Sequence, residues 1–131
     1  MTAANFARDF SIEATRPSAS EITQLGEVLA PGTSVYVTAI PKAAPDETVG
    51  AAVALRRAGL EPVVHIAARR LASADALQDV MRRLTGEAGV TRLLVIGGDV
   101  YAAGPYADAL GVIQKGDLRR HGIEEIGIGA Y

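Results

Sequence analysis

The chain alternates short apolar runs with longer segments whose apolar residues recur at helical spacing. The short runs are rich in β-branched residues and apolar on both faces, which is typical of parallel strands covered by helices. The clearest longer segment, 77–84, places apolar residues at i, i+3, i+4 and i+7 and so predicts an amphipathic helix. Strand and helix alternate in units of roughly 25 to 35 residues, the rhythm of βαβ units with right-handed crossovers.

This pattern predicts five strands and four main helices. The strands fall in the segments FSIEA, VYVTAI, PVVHIA, LLVIGGD and IGIGAY. The helices cover 22–29, 49–53, 77–84 and, after a loop at 100–105, about 106–114, with a short turn at 117–121. Ser20, Asp46 and Ser73 stand where helix N-caps are expected, and Gly59 and Gly89 stand where helices end.

Two folds of the α/β class fit this order in a single domain over residues 1–131. The first is a (β/α)8 TIM-type barrel, of which the chain supplies five strands as a partial barrel, because a complete barrel needs about 250 residues. The alternative is a five-stranded flavodoxin-like sheet, whose size matches the chain. Tyr131 closes the fifth strand, whereas a doubly wound domain would add a helix there. We therefore expect the partial barrel, whose open sheet edges favour a homo-oligomer.

Composition narrows the classes of partner. Thirteen Lys and Arg against fifteen Asp and Glu leave a net charge of −2, which gives no positive excess for binding nucleic acid. The chain has no cysteine, which removes disulfides and thiol catalysis and is compatible with the cytoplasm. It has no apolar run of about 18 residues, so no membrane partner is expected.

Each predicted strand ends in a polar side chain that could face a ligand: Glu13, Thr38, His65, Asp99 and Tyr131. Barrel enzymes assemble their active sites from the carboxyl ends of several parallel strands. The series therefore predicts a site for chemistry at that end of the sheet.

The segment Gly97-Gly98-Asp99 is the sharpest local signal. Two residues without Cβ let a flat ligand approach the backbone, while the carboxylate addresses the polar edge of that ligand. The alternative is an ordinary turn at the end of a strand. The spacing of the glycines is not that of a dinucleotide-binding fingerprint.

Glu13 and His65 are the candidate proton-transfer residues. Glu13 lies in an apolar run, which would raise its pKa toward that of a general acid; the alternative is a carboxylate paired with Arg16. His65 is either a ligand contact or a satisfied core histidine. The only other histidine, His121, gives no spacing for a metal site, so no metal is expected.

Several further residues have weaker signals. Thr38 is either a donor to a ligand or a strand filler, and Tyr106 and Tyr131 either stack on a ring or pack in the core. Most paired arginines suit solvated helix ends. Arg69 and Arg70 are the exceptions, because they follow a strand end.

Six segments together resemble, in order and spacing, the amino-terminal half of the methylenetetrahydrofolate reductase family. They are FSIEATRP, VYVTAIP with ETV soon after, GLEPVVHIAARR, GVTRLLVIGGD, GPYADAL and IGIGAY, from about Phe10 to Tyr131. The resemblance implies a (β/α)8 barrel that holds FAD at the carboxyl ends of its strands. It also implies hydride transfer from NAD(P)H through the flavin to methylenetetrahydrofolate, a folate of one-carbon metabolism.

The same resemblance implies roles for individual residues. Glu13 would be the general acid, and Asp99 would tune the flavin and meet the pterin ring, which makes both catalytic candidates. The cofactor-binding candidates are Thr38, His65, Ile96, Gly97, Gly98, Asp99, Tyr106, Ala107, Ala130 and Tyr131. In such an oxidoreductase the cofactor carries the redox chemistry, and the protein supplies orientation and charge.

The chain departs from the family pattern in three ways. Gly97 stands where many members have an arginine, and the first strand ends in Glu-Ala-Thr-Arg-Pro instead of a more aromatic segment. The family also continues after the fifth strand with a Pro-Glu-Gly-His-Pro-like segment that these 131 residues lack. We therefore expect a truncated reductase. The alternatives are a flavin or pterin binding module without turnover and a non-enzymatic protein that associates with itself.

Overall fold

Five β-strands and four α-helices alternate along residues 10–39 and 44–129, the part of the chain that the computed structural model describes. The strands are β1 (Ile12–Ala14), β2 (Ser34–Val37), β3 (Glu61–Ala67), β4 (Arg92–Ile96) and β5 (Glu125–Ile128). The helices are α1 (Ala19–Val28), α2 (Pro45–Arg57), α3 (Ala74–Ala88) and α4 (Ala109–Lys115), with 3-10 turns at Ala68–Arg70 and Leu118–His121. The predicted order of elements is confirmed.

The five strands form one sheet in which every neighbouring pair is parallel. Their spatial order is β1-β2-β3-β4-β5, the same as their order in the sequence. This confirms the α/β class with a parallel sheet interleaved with helices. Because each strand lies beside the one before it, the chain crosses the sheet in one direction, and crossovers of one hand place their helices on one face.

One face of the sheet is buried against the helices. Val35, Val64 and Val95 have no exposed surface, and the strand register places all three on that face. They share one core cluster with helix residues such as Leu55 and Leu84. Burial of a side chain of this size contributes roughly 1.5–3 kcal/mol. The opposite face carries the residues that alternate with these valines, among them Glu13 and His65.

The helix starts differ from two of the three predicted caps. Ser73 caps α3 as predicted, since its hydroxyl accepts a backbone hydrogen bond at 3.0 Å. The predictions for Ser20 and Asp46 are wrong, because both residues lie inside the first turn of a helix. Ser18 caps α1 instead, accepting a backbone hydrogen bond at 3.2 Å. Helix α2 begins at Pro45, whose missing N–H costs nothing at that position.

The helix ends agree better with prediction. Gly89 caps α3 with a φ of +61°, and Gly59 follows α2 with a φ of +85°, so both adopt the left-handed conformation that glycine tolerates. The fourth helix begins at Ala109, later than predicted. Asp108 caps it by accepting a backbone hydrogen bond at 2.8 Å. The preceding Tyr106 is 2% exposed and packs into the core instead of starting the helix.

Two glycines allow the side chains of β4 to lie over β5. An added Cβ at Gly127 would stand 2.9 Å from Cδ1 of Leu94, and one at Gly129 would overlap Cγ2 of Ile96. The alternation Ile-Gly-Ile-Gly in this part of the sequence is the signal for this close approach. On the other face of β5, Ile128 is 66% exposed.

Strands β1 and β5 are the two edges of the sheet formed by the described residues. An edge strand presents backbone N–H and C=O groups that can pair with another strand. Within 10–39 and 44–129, no helix has the length and apolar character needed to cross a membrane.

Replacing Gly129 by alanine is expected to lower the free energy of unfolding by about 1–3 kcal/mol, because the new methyl group overlaps a stiff β-branched side chain. Urea denaturation followed by circular dichroism measures this change. The matched control is Gly50→Ala inside α2, where an added Cβ meets nothing within 4 Å. That control should be stabilised by about 0.8–1.0 kcal/mol. Equal stability of the Gly129→Ala variant and the unaltered protein would contradict this packing.

Candidate ligand site at the carboxyl end of the sheet

Glu13 and His65 meet on the face of the sheet opposite the core. Glu13 is the middle residue of β1, and His65 lies inside β3. The prediction that both residues stand at strand ends is therefore wrong. The register pairs Glu13 with Tyr36 and Tyr36 with Val63, which places all of these side chains on one face. His65 Nε2 lies 3.5 Å from Glu13 Oε1. The structure thus brings together two residues that the sequence singles out separately.

The His65 imidazole is enclosed but lacks a hydrogen-bond partner at one nitrogen. Its side chain is 9% exposed, and its Nε2 makes no hydrogen bond with any described residue. The ring of Tyr36 contacts it edge-on, with centroids 5.9 Å apart. Burial lowers the pKa of His65, and the Glu13 carboxylate opposes this with a smaller effect. His65 is therefore neutral at neutral pH, and it is not the satisfied core histidine of the alternative interpretation.

Glu13 does not have the apolar surroundings that the sequence predicts. Its side chain is 61% exposed, and its neighbour Phe10 is itself 45% exposed. The expectation is wrong because β1 is an edge strand and the side chain projects from the open face. The alternative partner is also wrong, since Arg16 pairs with Glu47 at 3.4 Å. Glu13 therefore acts on His65 as an exposed negative charge.

Thr38 connects the ends of two strands. It follows β2, and its Oγ1 lies 3.1 Å from the Ala14 carbonyl oxygen and 2.9 Å from Thr15 Oγ1. Its backbone N–H donates to the same Ala14 carbonyl at 3.2 Å. Thr38 therefore holds β1 and β2 together at the rim of the site.

Arg69 fixes the glycine pair that follows β4. Its backbone N–H donates to the Gly97 carbonyl oxygen at 2.9 Å, and its Nη1 donates to the Gly98 carbonyl oxygen at 2.9 Å. Its Nε donates to the Ala107 carbonyl oxygen at 2.8 Å. Both glycines are buried, and Gly98 has a φ of +102°. Arg69 thus engages the two glycine carbonyl groups beside which the sequence predicts a flat ligand.

Asp99 and Arg70 form an ion pair across two neighbouring strand ends. Arg70 Nη2 lies 2.6 Å from Asp99 Oδ1. The hydrogen bond from Arg70 lowers the pKa of Asp99, and a backbone hydrogen bond adds to this effect. Arg70 is 22% exposed, and its Nε and Nη1 are buried without a hydrogen bond to any residue of 10–39 or 44–129. A cation with unused donors is suited to binding an anion.

His65 and Arg70 line one cavity of about 240 Å³ at the carboxyl end of β3. Thr48 of α2 adds a hydroxyl group, and Leu71 and Val80 contribute apolar walls. The cavity combines the guanidinium of Arg70, the hydroxyl of Thr48 and an apolar lining, next to the strand that carries His65. Such a combination is typical of small-molecule sites, in which a few polar groups orient a ligand against apolar walls.

The other predicted site residues are less accessible or lie elsewhere. Ile96 is 6% exposed, and Tyr106 is 2% exposed within the core. Ala107 is exposed, and its carbonyl oxygen accepts the hydrogen bond from Arg69 described above. Ala130 and Tyr131 lie outside the described residues. The structure therefore gathers only part of the predicted set around the cavity.

Tyr36 and Thr48 are the site residues that sequence reasoning missed. Strand alternation is the available signal for Tyr36, which stands between the core-facing Val35 and Val37. Thr48 had no such signal, because it lies on a helix that reaches the site only through tertiary packing. In the described residues, no group of three or more His, Cys, Asp or Glu side chains is arranged to hold a metal ion.

Comparison with solved structures shows a similarity in fold. No protein-family model matches the chain. The fold is similar to the crystal structure of lysine decarboxylase from Selenomonas ruminantium, with a TM-score of 0.50 and 26% sequence identity over 88% of this chain. The aligned region covers 35% of the decarboxylase, so the chain spans about a third of that protein's length.

The expected membership of the methylenetetrahydrofolate reductase family is wrong. No family model supports it, and the similarity found is to a lysine decarboxylase. The reductase function, with its flavoprotein and folate descriptions, is overturned by the same finding. The similarity favours neither the binding-module alternative nor the self-associating one. NAD(P)H and a folate as substrates have no support. FAD binding and the roles of the individual residues are not tested and stay predictions.

Replacing Glu13 by glutamine is expected to lower the pKa of His65 further, because burial then acts without an opposing charge. An NMR pH titration of the imidazole signals measures this shift. The chain has two histidines, so His121→Gln assigns the signals. Glu87→Gln, which removes a carboxylate from α3, is the control and should leave the His65 pKa unchanged. An unchanged His65 pKa in the Glu13→Gln protein would contradict the electrostatic effect of Glu13 on His65.

Replacing Arg69 by methionine is expected to lower the free energy of unfolding by roughly 1–3 kcal/mol, because the Gly98 and Ala107 carbonyl groups lose a charged donor. Urea denaturation gives the difference. Arg82→Met is the matched control, since the Arg82 side chain is 68% exposed, and it should change stability by less than about 0.5 kcal/mol. Equal losses in both variants would show that Arg69 has no special role in holding this loop.

Proposed function

We propose that the carboxyl end of the sheet is the small-molecule site of an enzyme that transfers a proton through His65. The observation that carries this proposal is the enclosed His65 imidazole with a ring nitrogen unpaired in the described part of the chain. It is 9% exposed and lies 3.5 Å from a carboxylate, and its Nε2 has no hydrogen-bond partner among the described residues. A buried polar atom without a partner needs an explanation, and a ligand that supplies the partner is the one we propose.

The chemistry follows from the two opposing effects on His65. Burial keeps the imidazole neutral at neutral pH, so that Nε2 can accept a proton. When a substrate C–H next to a carbonyl group loses its proton to Nε2, the electron pair stays on the substrate as an enolate. The Glu13 carboxylate then compensates the imidazolium charge until the proton returns. Such general base catalysis contributes about 10²–10⁴ in rate.

The strand order supports an arc of a (β/α)8 barrel as the setting of this site. In the flavodoxin-like order, 2-1-3-4-5, the first strand lies between the second and third. Here the order is sequential, and the helices cover one face. A barrel has the same sequential order, and its active site lies at the carboxyl ends of its strands. The position of the His65 and Arg70 cavity agrees with that rule.

The similarity to lysine decarboxylase is compatible with this class of chemistry. Decarboxylation of an amino acid replaces a carboxylate by a proton, which requires a proton donor near the reacting carbon. For this chain we propose the proton transfer, which its own residues support, and not the substrate of the decarboxylase. The cytoplasmic location and self-association into a homo-oligomer stay predictions from the sequence.

Exchange of carbon-bound hydrogen tests the proposal directly. The protein is incubated in D2O with a panel of 2-oxo acids and amino acids, and loss of the signal from the hydrogen next to the carbonyl or carboxyl group is followed by NMR. At least one member should exchange faster than without protein. His65→Gln should slow that exchange about 10²–10⁴-fold.

His121→Gln is the matched control for this experiment. His121 lies in a 3-10 turn, with Nε2 2.6 Å from Gln78 Oε1, and is not part of the site. Its replacement should leave the exchange rate unchanged. Equal exchange by the His65→Gln and unaltered proteins, or no enhanced exchange of any compound in the panel, would contradict a proton-transfer role.

A further inference from the structure

We infer that the cavity bounded by Arg70 and His65 binds the carboxylate group of a small aliphatic acid. This inference rests on the proposed function, because it names the class of substrate that would be presented to His65. It depends on four observations: the unused donors of Arg70, the ion pair with Asp99, the apolar walls and the volume of the cavity.

The charge argument begins with Arg70. One of its nitrogens, Nη2, is bound to Asp99, whose side chain is 62% exposed and therefore well solvated. The other two, Nε and Nη1, are buried and have no hydrogen-bond partner among the described residues. Leaving charged donors buried and unpaired is costly. An anion in the adjoining cavity would supply the missing acceptor, while Asp99 keeps the guanidinium in place.

The lining of the cavity indicates the rest of the ligand. Ile66, Leu71 and Val80 are apolar, and the polar side chains among the described lining residues are those of His65, Arg70 and Thr48. A ligand with one anionic end and a short aliphatic body matches this division. A phosphate group is a poorer match, because its oxygens need several converging donors and the described part of the lining offers one arginine.

The volume limits the size of the ligand. The cavity volume of about 240 Å³ is below the roughly 300–1,000 Å³ of sites that hold drug-sized ligands. This size favours a short acid over a ligand as large as a dinucleotide. Because His65 is among the residues that line this cavity, such an acid would be bound next to the strand that carries the imidazole.

Isothermal titration calorimetry with butyrate, butyramide and inorganic phosphate tests the inference. Butyrate should bind with a Kd on the order of 1 mM, within the limit for a ligand of six non-hydrogen atoms. Butyramide has the same shape without the charge and should bind roughly tenfold to hundredfold more weakly. Arg70→Met should weaken butyrate binding by a similar factor. The matched control Arg82→Met removes an exposed arginine of α3 and should leave it unchanged.

A second variant keeps the test valid if Arg70→Met disturbs folding. Ala76→Leu adds a side chain at a residue that lines the cavity and leaves Arg70 and Asp99 intact. It should abolish butyrate binding while the circular dichroism spectrum is retained. Retained butyrate binding in a folded Ala76→Leu or Arg70→Met protein would overturn the inference. Absence of butyrate binding to the unaltered protein, equal binding of butyramide, or binding of phosphate alone would overturn it as well.

The outcome is separable from that of the proposed function. Hydrogen exchange that needs His65 but proceeds unchanged in Arg70→Met would uphold proton transfer and overturn the carboxylate site. Butyrate binding that depends on Arg70, without hydrogen exchange of any compound in the panel, would uphold the carboxylate site and overturn proton transfer.

Discussion

The burial of one face of the parallel sheet is the constraint on which the rest of the structure depends. Val35, Val64 and Val95 are fully covered, and Leu55 of α2 and Leu84 of α3 are buried with them. Because strands that are adjacent in the sheet are also consecutive in the sequence, the helices between them pack against the same face. The opposite face is then free to carry polar side chains without loss of core. Glu13 and His65 lie on that open face, whereas α2 and α3 form walls of the neighbouring cavity beside Arg70.

The candidate proton-transfer pair joins two side chains in unlike surroundings. His65 is enclosed near the middle of the sheet, whereas Glu13 projects from an edge strand into solvent. Enclosure makes the imidazole a weaker base, and the solvated carboxylate partly restores its basicity. If both were buried, desolvation would favour the neutral forms of both, and the carboxylate would no longer supply a charge. The difference in exposure therefore lets the Glu13 charge raise the pKa of His65 against the larger effect of burial.

The sequence predicts the elements better than their arrangement. Alternation of apolar runs and amphipathic segments is a local property, so the order of strands and helices follows from it. The choice between Ser18 and Ser20 as a cap depends on which backbone groups they meet, and both fit the pattern. The exposure of Glu13 follows from the edge position of β1, which no local pattern shows. The family resemblance failed because short strand-end segments suit parallel sheets of many unrelated functions.

The sequential strand order also has a consequence for how the chain folds. Paired strands are never far apart in the sequence: residue 12 pairs with 35, 34 with 61, 64 with 93 and 92 with 125. Each new strand and helix can therefore pack against an element that has already formed. No strand near the amino terminus has to stay unpaired until a strand near the carboxyl terminus has formed. Short loop closures of this kind favour fast folding. During synthesis, the β1 to β3 region can begin to pair before β5 has left the ribosome, so assembly can follow the direction of translation.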